Sequence, residues 1–262
     1  MEANFFHVDA FTDAAFKGNP AAVVLLDQPR DEFWMQCFAA EMNLSETAFV
    51  SRGEKAFGLR WFTPLAEVDL CGHATLASAH ALWEVKAAPP GEIRFSTRSG
   101  ILRALSNGGG IELDFPAKPP TDGDAPAGLA EALRVTFQYR GRNAFDHLVE
   151  VDSEHALRNV NPDMNALSRV QCRGVIVTAR ASSLRYDFAS RFFAPSVGVD
   201  EDPVTGSAHC CLAPFWSGRL GKTEMLGYQA SARGGYVRVR VAPDRVFLGG
   251  RACTVVRGRI AC

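Results

Sequence analysis

Arg60-Trp61-Phe62-Thr63-Pro64 leads into Cys71-Gly72-His73-Ala74 and then into an apolar run that reaches Trp83. Arg191-Phe192-Phe193-Ala194-Pro195 leads into Thr205-Gly206-Ser207-Ala208 and a second apolar run that reaches Trp216. Pro64 and Pro195 are 131 positions apart, Gly72 and Gly206 are 134, and Trp83 and Trp216 are 133. One supersecondary unit therefore occurs twice, half a chain apart. Two copies are too few for a solenoid. They predict two similar lobes, with the active site expected in the cleft between them.

Bulk properties narrow the function classes. A hydrophobic share of 47% and a charged share of 22% describe a soluble globular chain with apolar surface enough for two cores. Net charge is −1 and no basic cluster occurs, so the electrostatic footprint of a nucleic-acid binder is missing. Apolar stretches are broken by Asp, Arg or Gly well before the ~18–20 residues of a membrane span. The start, Met1-Glu2-Ala3-Asn4-Phe5-Phe6-His7, has neither a basic n-region nor an apolar h-region. The expectation is a cytoplasmic protein without membrane or nucleic-acid partners. Cys37, Cys71, Cys172, Cys210, Cys211, Cys253 and Cys262 form no C-x-x-C pair and read as reduced thiols. The histidines show no H-x-x-x-H or H-E-x-x-H spacing, and no metal is expected.

Along the chain, residues 5–11 read as a strand with Phe5, His7, Asp9 and Phe11 on one face. Lys17-Gly18-Asn19-Pro20 is a turn, and 21–26 a buried strand. A helix over 31–42 takes Asp31 as N-cap and places Phe33, Cys37, Phe38 and Met42 on its apolar stripe. Strands follow at 47–51 and 57–63, then an apolar helix over 72–85 whose many small residues predict burial on most sides. Residues 93–115 carry two or three strands broken at Gly100 and at Asn107-Gly108-Gly109-Gly110, which opens no helix and so is no dinucleotide fingerprint. The proline-rich stretch 115–127 is the best linker and divides the chain into lobes at 1–118 and 119–262, the last strand being able to pack with the first lobe. The second half gives strands at 135–139, 145–151, 174–178 and 185–193, a helix over 206–220, and strands at 236–241, 245–248 and 253–256. The fold class is α+β, each lobe a curled, mostly antiparallel sheet around one long helix.

Each repeat ends in a helix entered through glycine, at Gly72-His73 and Gly206-Ser207. Helix starts offer unpaired N–H groups and partial positive charge, which suits a carboxylate; the plainer reading is a tight strand-to-helix turn with Ser207 as a cap. Glu46, in Asn43-Leu44-Ser45-Glu46-Thr47-Ala48-Phe49, is either a sheet-edge carboxylate or a desolvated general acid/base. Asp202, just before the second helix, is an ionisable group near a helix start that locally reads as a turn residue fixed by Pro203. His73 is a structural histidine or a neutral imidazole at a helix start. Cys71 beside a helix start raises a thiol mechanism. A two-thiol racemase needs a partner cysteine, but the Gly72/Gly206 match sets Thr205 opposite Cys71.

Gly18-Asn19-Pro20-Ala21-Ala22-Val23, the Glu46 segment, Arg60-Trp61-Phe62-Thr63-Pro64 with Glu67-Val68-Asp69-Leu70-Cys71-Gly72-His73-Ala74-Thr75, and Asp202-Pro203-Val204-Thr205-Gly206-Ser207-Ala208-His209 together resemble the phenazine biosynthesis-like PhzF family. Gln229-Ala230-Ser231-Ala232-Arg233-Gly234-Gly235 resembles its C-terminal signature. The resemblance implies a diaminopimelate epimerase-like fold of two pseudo-symmetric lobes, a homodimer, and isomerase chemistry by proton transfer without a cofactor. It implies Glu46 as principal general acid/base, with His73, Asp202 and Ser207 lining the site and relaying protons. The Gly72/His73 and Gly206/Ser207 amides would hold the carboxylate of a small acidic metabolite. A non-catalytic binder of such a metabolite is the alternative, with a two-thiol amino-acid epimerase ranked below it.

Overall fold

A computed structural model describes residues 2–261; Met1 and Cys262, the last of the cysteines noted above, lie outside the described residues. Two compact units share the chain, one of residues 1–115 with 249–262 and the other of residues 116–248.

The first unit begins with β1 (Glu2–Ala10), β2 (Asn19–Leu26), α1 (Glu32–Met42), β3 (Glu46–Ser51), β4 (Phe57–Phe62) and β5 (Glu67–Val68). The apolar helix α2 (Gly72–Glu84) follows, then β6 (Glu92–Thr97), β7 (Gly100–Asn107) and β8 (Gly110–Pro116). The second unit holds β9 (Thr121–Asp122), α3 (Leu129–Leu133), β10 (Tyr139–Arg142), β11 (Asp146–Glu150), α4 (Glu154–Arg158), α5 (Met164–Leu167), β12 (Gly174–Arg180) and β13 (Phe188–Phe193). It continues through α6 (Gly206–Leu220), β14 (Glu224–Gln229), β15 (Gly235–Val241) and β16 (Arg245–Gly250). The final strand, β17 (Ala252–Ala261), pairs antiparallel with β1 in the first unit.

The doubled sequence is a doubled topology. In the first unit β2 and β3 pair parallel, β3 and β4 antiparallel, β4 and β6 parallel, and β6 and β7 antiparallel. In the second, β11 and β12, β12 and β13, β13 and β14, and β14 and β15 repeat that series. Most other pairings are antiparallel, but each unit contains two parallel ones, each spanned by helical chain. The long helix of each unit, α2 or α6, is the crossover of its second parallel pair.

α2 is buried on nearly every side, from His73 through Leu82, and packs against β1, β2, β3, β7 and β17. Small side chains let strands approach it closely. Its buried hydroxyls are satisfied within the helix, Thr75 Oγ1 donating to Cys71 O and Ser78 Oγ to Ala74 O. α6 packs against β14 and β15 and buries Trp216, whose Nε1 donates to Thr178 Oγ1 at 2.9 Å and whose ring stacks on Phe188.

Three expectations need correction. Asp31 does cap α1, accepting from Trp34 N at 2.9 Å, but the apolar stripe is turned from the one read above: Phe33 is 79% exposed and Cys37 is exposed, while Met35 and Ala39 are buried. The aromatic pair Trp34 and Phe38 sets this phase, packing on Phe49 with Phe38 also against Phe5. The strand expected at 135–139 starts only at Tyr139, because α3 occupies 129–133 and Arg134 ends it in a left-handed turn (φ 56°). Phe11 lies beyond β1, in a left-handed turn of its own (φ 62°). β14 and the short helices α4 and α5 are additions to the sequence reading.

Candidate active site

Three segments of the first unit begin at one place. β2 opens with Asn19, β3 opens with Glu46, and α2 opens after Cys71 at Gly72-His73. β2 and β3 run parallel with Ala21 beside Glu46, so both strands start at the same end of the sheet. Gly18 makes the turn into β2 at φ +64°, and a Cβ there would meet Ala10 O at 2.1 Å. Only glycine can deliver Asn19 to this position.

His73 is the hub of the cluster. Its Nε2 lies 3.2 Å from Glu46 Oε2, and its Nδ1 lies 3.2 Å from Asn19 Nδ2. Cys71 Sγ is 3.6 Å from Nδ1 and 4.0 Å from Nε2. Burial lowers the His73 pKa from 6.5 to about 3, so the ring is neutral near pH 7. With the ring neutral, the Glu46 contact is a close approach of two polar groups rather than an ion pair. With Nδ1 accepting from the Asn19 amide, the ring proton sits on Nε2, the nitrogen that faces the Glu46 carboxylate. His73 and Cys71 are buried, whereas the Glu46 side chain keeps 20% exposure. Glu46 is thus the member with access to a ligand. Glu46, Cys71 and His73 also present three metal-ligating atoms, all within 4.8 Å of one another.

The start of α6, in the second unit, is built from different parts. Its N-cap is Thr205, the position Cys71 holds in α2. Gln229, fully buried at the end of β14, accepts from Thr205 N at 2.8 Å. Its Nε2 donates to Asp202 O at 2.7 Å and to Thr205 Oγ1 at 3.1 Å. Thr205 Oγ1 in turn donates to Asp202 Oδ2, which ties the loop 202–205 into one piece. Ser207 does not cap the helix. Its Oγ accepts from Arg173 Nη2 at 2.9 Å, and Arg173 grips the buried Asp146 through Nε and Nη2 at 2.9 and 2.5 Å. With Arg173 as donor, the Ser207 hydroxyl can still give its own proton to a ligand.

The structure therefore brings Glu46, Gly72 and His73 together in the first unit and Asp202, Gly206 and Ser207 in the second. Sequence reasoning missed the residues that hold them, namely Asn19, Gln229, Asp146 and Arg173. Asn19 and Gln229 lie inside the motifs quoted above, which is the one signal that pointed at them. Among the described residues neither Cys71 nor Thr205 caps its helix through a side chain. Cys210 and Cys211 sit within α6, where burial pushes both thiols up to about 12.

The family model described as "Phenazine biosynthesis-like protein" matches residues 8–258. A Halalkalibacterium halodurans protein named as an uncharacterized isomerase is 53% identical over 99% of both chains. The crystal structure of a phenazine biosynthesis protein of the PhzF family from Enterococcus faecalis superimposes at a TM-score of 0.96, with 38% identity and full coverage of both chains. A predicted epimerase from Pseudomonas aeruginosa, at 21% identity, shares the fold at a TM-score of 0.75 over 99% of each chain. The α+β architecture is thus the diaminopimelate epimerase-like fold. This chain belongs to the phenazine biosynthesis-like (PhzC-PhzF) family and is an isomerase.

Proposed function

We propose that this isomerase works without a cofactor, moving a proton between carbons of a small carboxylate-bearing metabolite with Glu46 as general acid/base. The observation that carries the reading is the partly exposed Glu46 carboxylate held 3.2 Å from a buried, neutral His73. A base must keep its lone pair for the substrate. An imidazole whose Nδ1 already accepts from Asn19 steers Glu46 through Nε2–H without competing for the proton.

In the proposed reaction the substrate C–H proton passes to Glu46. The electron pair left behind delocalises toward an adjoining unsaturated group, and reprotonation at a different carbon, from Glu46 or by way of Asp202, shifts the double bond. The backbone amides at Gly72/His73 and Gly206/Ser207 are assigned to carboxylate binding, since helix starts carry partial positive charge. The Ser207 hydroxyl adds a donor whose direction is set by Arg173. The thiol alternative lacks its second member, because Thr205 occupies the α6 position that matches Cys71. The homodimeric state and cytoplasmic location expected above belong to the same proposal.

Solvent deuterium exchange into candidate carboxylates tests this reading. Glu46→Gln should retain the fold and ligand affinity while exchange falls by about 10²- to 10⁴-fold. Wild-type exchange in that variant sinks the assignment of Glu46. A ligand that stabilises the wild-type protein thermally yet never takes up deuterium favours the non-catalytic binder.

A further inference from the structure

We infer that Glu46, Cys71 and His73 form a binding site for a borderline-soft divalent cation of the zinc class, and that the bound ion shuts the isomerase off. The inhibition rests on the role proposed for Glu46; the binding does not. The donor set mixes a carboxylate, an imidazole and a thiol, drawn from the start of β3 and the start of α2. Such a mixture suits zinc and discriminates against magnesium or calcium, which prefer oxygen ligands throughout.

The spacing fits. At ordinary zinc–ligand lengths and tetrahedral angles, nitrogen and oxygen ligands stand about 3.3 Å apart, and sulfur and nitrogen about 3.6 Å. His73 Nε2 and Glu46 Oε2 are 3.2 Å apart, and Cys71 Sγ and His73 Nε2 are 4.0 Å apart. Sγ lies nearer Nδ1, at 3.6 Å, so closing the second gap takes a change of Cys71 rotamer that carries the thiol to the Nε2 edge of the ring. Charge also fits. Loss of the thiol proton to solvent leaves a thiolate, a carboxylate and a neutral imidazole, so a divalent ion makes the cluster neutral in a place where two of three ligands are buried.

Asn19 completes the arrangement. A metal on Nε2 moves the ring proton to Nδ1, and turning the Asn19 amide by half a rotation presents Oδ1 to accept it. That is the outer hydrogen bond metal-bound histidines ordinarily make. With three protein ligands the fourth position stays open to water. Metal on the Glu46 oxygen occupies the lone pair that proton transfer requires, which is why binding inhibits.

Titration of the metal-free wild-type protein with Co²⁺ reads the site without any substrate. One equivalent should bind and produce a thiolate-to-cobalt charge-transfer band that Zn²⁺ abolishes by displacement. Cys71→Ser should remove that band and Glu46→Gln should weaken Zn²⁺ binding, each by at least the ~10- to 100-fold that loss of an outer-shell partner costs. Cys37→Ser, at an exposed thiol, should change neither. Circular dichroism on each variant checks that it is folded. A band that survives Cys71→Ser, or that disappears in Cys37→Ser, overturns the site. If the site stands but Zn²⁺ leaves turnover of a verified substrate untouched, the inhibition is wrong. If Zn²⁺ binds as described and Glu46→Gln exchanges at the wild-type rate, the acid/base assignment fails while the metal site survives.

Discussion

The start of α2 and the start of α6 descend from one pattern and are finished differently. Both begin with glycine, and both have an uncapped N-cap residue. In both, the fourth helical residue turns its side chain back on the N-cap carbonyl: Thr75 Oγ1 onto Cys71 O, and His209 Nδ1 onto Thr205 O at 2.8 Å. Around α2 the flanking groups are a carboxylate, an imidazole and a thiol clustered on one another. Around α6 they are a glutamine that ties down a loop and an arginine–aspartate pair that orients a serine. The shared part is local backbone chemistry, which two helix entries need alike. On the roles proposed above, the unshared part gives the first unit the principal acid/base and the second a serine oriented by its neighbours.

The largest effect expected is the loss of about 10²- to 10⁴-fold in deuterium exchange for Glu46→Gln. The comparison breaks if the same substitution costs less than Ser207→Ala. Next comes Arg173→Met, which strands the buried Asp146 carboxylate. Breaking a fully buried pair costs about 3–5 kcal/mol, and the 38% exposure of the Arg173 side chain reduces this to about 2–3 kcal/mol. Urea unfolding measures it, and an unchanged midpoint would mean that α6 is oriented by something else. Ser207→Ala is smaller still. Removing one neutral hydrogen bond to a ligand is worth about 1 kcal/mol, so KM should rise by about fivefold to tenfold with kcat nearly constant. A kcat loss as large as that of Glu46→Gln would move the serine into the proton path and erase the division of labour.

Much of this division was hidden in the sequence for identifiable reasons. The bounds of α6 and the start of α2 were legible because glycine followed by a long run of small and apolar residues is a local signal. Glu46 and His73 were legible as residues, but their contact was not. It depends on which strands run parallel, and β2 and β3 are brought together only by way of α1. Metal-ligand spacing failed for the same reason, since Glu46 is far from Cys71 and His73 along the chain. β14 was missed because its inward positions are Met225, Gly227 and Gln229, which do not read as an apolar face. Gly227 is small because a Cβ there would lie 2.6 Å from the Phe188 ring and 3.2 Å from His209 Nε2, and Gln229 is polar because it fixes the loop before α6. The residue types that disguised the strand are the ones its function demands. Helices α3, α4 and α5 are too short for helical periodicity to register, although Ser153 and Asp163 do cap the latter two.

The fourth helical residue supplies the finest test, because threonine in one unit stands where the other has histidine. His209 is fully buried, packed beside Phe188, and its pKa is lowered from 6.5 to about 4 by desolvation, against the opposing pull of its bond to Thr205 O. Between those two values the unfolded chain holds a proton that the folded chain refuses. Acid therefore favours unfolding across that window, and the contribution is absent above about pH 6.5. Glu154, whose carboxylate accepts from Tyr186, Ser182 and Arg158, is held down at about 2 from an ordinary 4.5. Its stabilisation is present above the unfolded value and is lost lower, between about pH 4.5 and pH 2. His209→Thr writes the first unit's residue into the second and keeps a hydroxyl able to donate to Thr205 O. It should lower stability at neutral pH through the space the ring leaves. It should also flatten the stability–pH curve between about pH 6 and pH 4 by up to about 1.4 kcal/mol per pH unit, leaving the slope that His73, lowered to about 3, contributes there and the limb that Glu154 adds below. If unfolding midpoints measured across that window keep the wild-type slope, His209 is not the group that titrates, and the two fourth residues differ in size alone.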